Sequence, residues 1–468
     1  MTAGRGIPAI PMLLLPIAIS QFLISLDFSC MTMVIPLLAK ATGAAPALLQ
    51  WTVSGSALVW GGCLILGGRI ADRFGNRRMF VIGLTLYILG ALSCAVAPSI
   101  HAVIAGRVLS GLGGALFGPA ILAALIAGSR EGAERNRALV VYSIAQALGS
   151  ALGVAFGGLL AAHFGWRMIF VFNMSVAASA IVAATALPRP LPRADATGQS
   201  FDVAGAVLVT AGCSLLVLSF SGLGRAGLLD PMVILPAAAA ITVLAIFVAV
   251  EARTAAPILP LSLFRVSGFA PALSVSMASN AAQAGFFYIL ATFLHQLAGY
   301  GADRIGMIFF AKLIGVFLAG AMMARLLRRL SPWTAMALGC SATAAIMLAL
   351  TQISVATALW GSLTAVVLAP IGQMAVVIAA TNEVTGRAPA EHRGVASAIL
   401  LASTQIGVAL AMGLYASALQ RSGAAMPDVP AGFATVAAVA TIGIAMALLS
   451  AWRRRGGEGA APAFAAQP

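Results

Sequence analysis

Gly67-Gly-Arg-Ile-Ala-Asp-Arg-Phe-Gly-Asn-Arg-Arg78 packs four arginines and an aspartate between two apolar segments, in a chain where only 9% of residues are charged. A charged turn this short between two long apolar runs belongs at one face of a bilayer. Its arginines, Arg69, Arg73, Arg77 and Arg78, mark that face as cytoplasmic, because basic residues accumulate on the inner side of membrane proteins.

The composition agrees with that turn. Hydrophobic residues make up 61% of the 468 positions, and mean hydropathy is +1.02, against about 45–50% apolar residues in soluble domains. The net charge of +14 does not describe a nucleic-acid binder, because the basic residues punctuate the ends of apolar runs instead of forming one patch. Cys30, Cys63, Cys94, Cys213 and Cys340 all fall in apolar runs without metal-ligand or redox spacing, and read as packing residues. Arg5 precedes an apolar run that continues to about Ile35, longer than a signal-peptide core, so this run is expected to be retained as the first span.

Stretches of about 20 apolar residues lie near 12–35, 49–68, 79–97, 102–127, 138–161, 168–187 and 203–222, and then near 231–250, 268–293, 304–324, 333–351, 356–380, 395–419 and 431–451. With both termini cytoplasmic, 20 Lys and Arg fall on the inside and 5 on the outside, the bias expected of that orientation. Pro188 to Asp202 has the proline and charge content of a linker, and Glu251 to Arg265 forms a second basic connector. The expected organisation is a six-helix half over 1–187, a cytoplasmic linker over 188–202, two inserted helices over 203–250, a second six-helix half over 251–455 and a short tail over 456–468. This is an all-α integral membrane protein of two six-helix bundles plus two additional central helices, a plan that suits a transporter with repeats rocking about a central site.

Several motifs carry a family resemblance that spans about Leu13 to Arg453. The Gly68-x-x-x-Asp72-x-x-Gly75-x-Arg77 spacing resembles the loop signature between the second and third spans of the major facilitator superfamily. Leu26-Asp27-Phe28-Ser29 running to Ile35-Pro36 is similar to the first-span motif of its fourteen-span drug/proton antiporters, and Arg107 with Gly111 is similar to their fourth-span arginine motif. Gly149-x-x-x-Gly153-Val154-x-x-Gly157-Gly158 resembles the fifth-span antiporter motif, with Val154 where the family has proline. Trp166-Arg167 with Phe170 and Asn173, Leu261-x-Leu263-Phe264-Arg265 and Gly299-Tyr300 extend the match. The resemblance implies a major facilitator fold and proton-driven drug efflux. Val154 leaves uniport or symport of a specific metabolite as the alternative.

Asp27 is the acidic residue that falls well inside a span. An ionised carboxylate there costs about 2.5–3.5 kcal/mol on insertion scales, so it reads either as a proton-coupling group that is neutral in one state and ionised in another, or as a static partner of Arg107. On a helical wheel Gln21, Ser25, Ser29 and Thr32 form a stripe on the side opposite Asp27, and the pattern does not say which side lines a cavity. Gly149, Gly153 and Gly157 share one face, with Gly158 beside them, and read first as a close-packing surface. Gly68, Asp72, Arg73, Gly75 and Arg77 read as a gating loop: Gly68 permits helix approach, and Asp72 holds a contact that breaks as the halves rock.

In the second half Ser276, Asn280 and Gln283 align in the ninth span, and Gln373 and Gln405 sit in the twelfth and thirteenth; each reads as a substrate contact or as a bridge between helices. Phe286, Phe287 and Tyr288 line a pocket or face lipid, and His295 belongs near the outer surface. Lys312 falls about eight residues into the tenth span, deep for snorkelling. With Arg107 and Asp27 it leaves one net positive charge within the spans, which favours anionic, zwitterionic or neutral cargo.

No nucleotide-binding loop, metal-ligand cluster or catalytic triad can be assembled. The sequence therefore predicts a monomeric multi-pass protein of the inner membrane with no cofactor. It is not an enzyme, and a proton gradient drives its export of small, partly hydrophobic molecules. A membrane sensor or scaffold is the distant alternative.

Overall fold

Long apolar segments cannot leave backbone groups unsatisfied in lipid, and here they satisfy them internally as helices. The computed structural model describes residues 9–455 apart from 129–132, 186–201, 228, 255–256, 258, 260, 327–329, 389–392 and 420–427. The expected tail over 456–468, and all of the 188–202 linker except Asp202, lie outside the described residues. The first half comprises α1 (Ala9–Thr42), the single turn α2 (Pro46–Leu49), α3 (Trp51–Phe74), α4 (Asn76–Ala95), α5 (Ile100–Gly128), α6 (Ala133–Phe164) and α7 (Arg167–Thr185). The pair α8 (Val203–Ala226) and α9 (Pro231–Glu251) follows. The second half comprises α10 (Phe269–Thr292), α11 (Ala302–Phe310), α12 (Lys312–Leu326), α13 (Pro332–Leu350), α14 (Ala358–Arg387), α15 (Arg393–Ala418) and α16 (Val429–Arg455).

Each apolar stretch picked out by hydropathy is covered by helix, and 11 of the described helices are long and apolar enough to cross a membrane. No strand occurs among the described residues. Helix starts follow local chemistry. Asp230 accepts from the Met232 N–H at 2.7 Å with Pro231 behind it, and Ser331 with Pro332 repeats the device, each side chain satisfying an amide the helix leaves free. Gly75 joins α3 to α4 at φ 98°, a left-handed backbone that favours glycine.

One stretch departs from expectation. The 304–324 run, read as a single span, is two helices broken at Ala311, whose N–H turns to Ile308 O at 3.2 Å in a three-residue step. No proline lies at this break, so the sequence does not announce it.

Close packing rests on small residues, as expected where lipid removes the hydrophobic drive between helices. A Cβ on Gly149 would strike the Phe22 carbonyl and one on Gly153 would lie 2.7 Å from Leu26 O, so α6 rides directly on the backbone of α1. Gly157 continues that face against Cys30, with Gly158 buried beside it. Gly90 meets Gly106 between α4 and α5, and Gly339 meets Gly372 between α13 and α14. Cys30, Cys94, Cys213 and Cys340 are buried and Cys63 is half-buried, all as free thiols.

The pair α8–α9 is not an appendage at the rim. Cys213 and Val217 of α8 pack on Ala57 and Leu58 of α3 and on Ala409 of α15, so α8 touches both halves. At its start Asp202 caps the helix through the Gly205 N–H at 2.8 Å, and Glu251 accepts from the Leu259 N–H at 3.1 Å. Gly205 is required where these two carboxyls converge, since a Cβ there would lie 2.6 Å from an oxygen of each.

The glycine pair that opens the loop motif divides its labour in a way the sequence did not indicate. A Cβ on Gly67 would collide with the Ala115 carbonyl of α5, whereas one on Gly68 meets only Pro119 Cβ at an ordinary 3.5 Å. Close approach, expected of Gly68, therefore falls to Gly67. Gly67→Ala should destabilise the purified protein by about 1–3 kcal/mol, the usual cost of overpacking, and lower its melting temperature in detergent, while Gly68→Ala melts close to the parent; equal melting of the two would refute the assignment.

Candidate functional site

The chemistry concentrates on one carboxylate. Asp27, 7% exposed on α1, accepts from Arg107 Nη1 at 2.7 Å (Oδ1) and 2.9 Å (Oδ2), from the Tyr87 hydroxyl at 2.8 Å and from Asn173 Nδ2 at 3.0 Å. Arg107, 1% exposed, turns its Nε to the Thr52 carbonyl at 2.9 Å. Five helices, α1, α3, α4, α5 and α7, thus meet at a single ion pair. Gly111 makes the reach to Thr52 possible, because its missing Cβ lets α5 lie on the Ser56 backbone of α3. Tyr87 is held edge-on against Phe117, ring centroids 6.2 Å apart.

The side of α1 that carries Asp27 faces the interior of the first half. An adjoining side faces α6, where Ser29 and Cys30 lie against Gly153 and Gly157. Gln21 and Ser25 are buried, and the Thr32 side chain lies outside the described residues. Asp27 and Arg107, both named from sequence, are brought together; Tyr87, Asn173 and Thr52 complete the cluster. Only Asn173 had a sequence signal, as part of the family-like motif. Tyr87 sits in an apolar run, and Thr52 contributes a backbone oxygen that no side-chain pattern reveals.

The loop motif ties helix ends together. Arg69 donates to the Pro257 carbonyl of the second connector, and Arg77 donates to the Thr185 carbonyl at the end of α7 at 2.9 Å. Arg73 stands over the Phe74 ring at 5.9 Å. The Asp72 side chain lies outside the described residues.

In the second half the stripe on α10 bridges helices. Asn280 donates to the Ser276 carbonyl at 2.9 Å and accepts from Gln373 Nε2 at 3.1 Å, while Ser279 donates to Gln373 Oε1 at 2.6 Å. Gln283 Oε1 and Gln405 Nε2 are buried without hydrogen-bond partners, and the Cβ of Gln405 faces Gly61 of the first half. These two amides keep bonding capacity for a ligand. Phe286, Phe287 and Tyr288 are all buried, which removes the lipid-facing alternative for them. His295 lies in a π-helical turn, Phe293–Leu297, with Nδ1 3.3 Å from Tyr300 O.

Lys312 opens α12 immediately after the Ala311 break. Its Nζ donates to the Ser150 hydroxyl of α6, a contact that spans the two halves, and stands 4.4 Å from the Phe287 ring centroid of α10. Among the described residues no group of three or more His, Cys, Asp and Glu side chains could hold a metal ion.

Residues 17–412 match the Major Facilitator Superfamily. The chain belongs to that family. It is accordingly a multi-pass transporter and not an enzyme. Similar proteins include the cephamycin export protein of Amycolatopsis lactamdurans, 32% identical over 67% of this chain and 63% of that one, which is just under two thirds of its length. The puromycin resistance protein of Streptomyces alboniger is 30% identical over 86% of this chain and 80% of that one. The tetracenomycin C resistance and export protein of Streptomyces glaucescens is 28% identical over 89% and 77%. Among solved structures, a peptide transporter of the POT family bound to sulfate superposes with a TM-score of 0.68 at 16% identity, covering 97% of this chain and 96% of that one. An inward-facing bacterial homologue of the lysosomal transporter Spinster gives 0.63 at 16% identity, covering 96% and 98%. At that identity the structural likeness speaks to the Major Facilitator Superfamily fold alone.

A buried ion pair is costly to break from one side and cheap to remove whole. Arg107→Met alone should destabilise the protein by about 3–5 kcal/mol, seen as a large drop in melting temperature in detergent. Arg107→Met combined with Asp27→Leu should recover much of that loss; additive losses in the double variant would show that the two groups are not an isolated pair.

Proposed function

We propose that this protein is a proton-driven exporter of small, partly hydrophobic molecules, of the antibiotic-efflux kind, working by alternating access. The observation that carries the proposal is the buried carboxylate of Asp27, tied to Arg107, Tyr87 and Asn173 across four helices. A proton on Asp27 removes the charge that holds Arg107 and weakens the hydrogen bonds from its three partners at once, so loading and releasing that proton biases two packings of the first half. The export and resistance roles in the names of similar proteins support the direction and kind of cargo.

The gradient alone supplies the energy, with no cofactor. The arrangement we favour places two six-helix halves (1–187 and 251–455) about the inserted pair 203–250, as a monomer in the inner membrane with both termini and the 188–202 linker cytoplasmic. The arginine and lysine bias supports that orientation. The loop residues Gly68, Asp72, Arg73, Gly75 and Arg77 serve as a gate, and Gln283 and Gln405, with the neighbouring Ser276 and Asn280, contribute polar contacts to cargo. Uniport or symport of a specific metabolite is the second reading, favoured by α6 running unbroken through Val154 where the antiporter motif carries proline.

Everted membrane vesicles offered a panel of cationic, neutral and anionic antibiotics separate these readings. Wild type should accumulate cargo against its gradient only when a pH gradient is imposed. Asp27→Asn, which resembles the protonated state in shape, should lose uphill transport and keep counterflow exchange. Uphill transport retained by Asp27→Asn would rule out Asp27 as the coupling group, and wild-type transport indifferent to the pH gradient would favour the uniporter.

A further inference from the structure

We propose that Lys312 is the anion-recognition group of the transport site, and that acidic organic cargo binds by exchanging its carboxylate for the Ser150 hydroxyl on the lysine ammonium. The inference rests on the transport reading above and adds to it the chemical class of the cargo.

Three observations carry it. First, the described residues place no carboxylate in ion-pair range of Lys312: Asp27 is taken by Arg107, and Glu383 pairs with Arg387 one turn along α14. Among the described residues the contacts of the ammonium are one neutral hydroxyl and one aromatic face. A cation in this setting lacks the counter-ion that buried charges normally keep, and an anionic ligand would supply it.

Second, the ammonium is turned toward the interior and away from lipid. At about 100° per residue, Ser150 falls on α6 between the face that packs on α1 through Gly149 and Gly153 and the face beside α11, where Gly306 lies against the Val154 and Ala155 backbone. The lipid side of α6 is elsewhere, at the exposed Phe156 and Leu159. Lys312 therefore meets the first half where the halves face each other, the region an alternating-access transporter opens to its cargo.

Third, the surroundings suit a carboxylate attached to an apolar body. Phe287 offers a ring face beside the ammonium, and the break at Ala311 sets the lysine at a helix start instead of mid-helix. Because the Lys312 to Ser150 bond joins α12 to α6, an acid that captures the ammonium also releases a contact between the halves. Binding of acidic cargo and loosening of that junction are one event.

The test uses the full-length purified protein and a matched pair of probes, nalidixic acid and its methyl ester, with ethidium as a cationic control. Binding is read by calorimetry or intrinsic fluorescence, so it does not depend on transport. Wild type should bind the acid more tightly than the ester by about tenfold to a hundredfold, the range of one charge-assisted hydrogen bond. Lys312→Met should lose that preference while binding the ester as before, and Lys312→Arg should keep it. Ser150→Ala should leave the acid preference intact, since the hydroxyl is the partner displaced. The same acid preference in Lys312→Met, or no binding of the acid by folded wild type, or tighter binding of ethidium than of the acid, overturns the proposal. Acid binding that depends on Lys312 without gradient-driven transport would instead sink the exporter reading and leave the anion site standing.

Discussion

A carboxylate and a guanidinium buried together within a bundle of apolar helices are the constraint on which the rest of the structure depends. Arg107 would be too costly to hold there alone, and so would Asp27; together, with Tyr87 and Asn173 also donating to the carboxylate and the Thr52 carbonyl accepting from the guanidinium, they are tolerable. The geometry leaves little slack. α5 must lie close enough to α3 for Arg107 to reach Thr52, which requires Gly111 against Ser56, and α6 must press on an adjoining side of α1, which requires Gly149 and Gly153. The glycines that look like a packing motif are in this sense part of the charge site: they hold α1 so that Asp27 points inward.

The two halves are joined by contacts of a different kind. Within the first half the bonds are buried and charged. Between the halves, contacts among the described residues include ones that are neutral on at least one side, as in the Ser54 hydroxyl on the Ala409 carbonyl and the Lys312 ammonium on Ser150. Contacts of that strength can be exchanged without a large penalty, which suits a junction that opens and closes. The α8–α9 pair adds a further constraint, since α8 packs on α3 from one half and α15 from the other, and the end of the pair that holds Asp202 and Glu251 shares the Pro257 region with Arg69 of the loop motif.

Much of this was legible in the chain, for physical reasons. Helices were legible because apolar runs of this length have one way to satisfy their backbone in lipid. The Asp27 and Arg107 pairing was legible because charges so deep in spans need each other. What the sequence hid were interactions without a side-chain signature. Thr52 acts through a carbonyl, Tyr87 is one aromatic in an apolar run, and Ser150 is one hydroxyl next to a glycine motif that reads as packing. Gly67 and Gly68 are indistinguishable as letters, and only the position of the Ala115 carbonyl decides between them. The break at Ala311 carries no proline, and it moves Lys312 from the middle of a span to the start of a helix. The polar stripe of α10 was visible, but its partner Gln373 on α14, which turns Asn280 and Ser279 into a bridge, depends on tertiary packing.

If Asp27 is the group through which protons and cargo are linked, cargo binding and its protonation must be visible as one equilibrium. The direct measurement is proton exchange with a weakly buffered solution when a transported compound is added to the purified protein in detergent, followed with a pH-sensitive dye. The account predicts that wild type changes the pH of the medium on cargo binding and that Asp27→Asn, binding the same cargo, does not. Equal proton exchange by the two proteins at equal occupancy would contradict it.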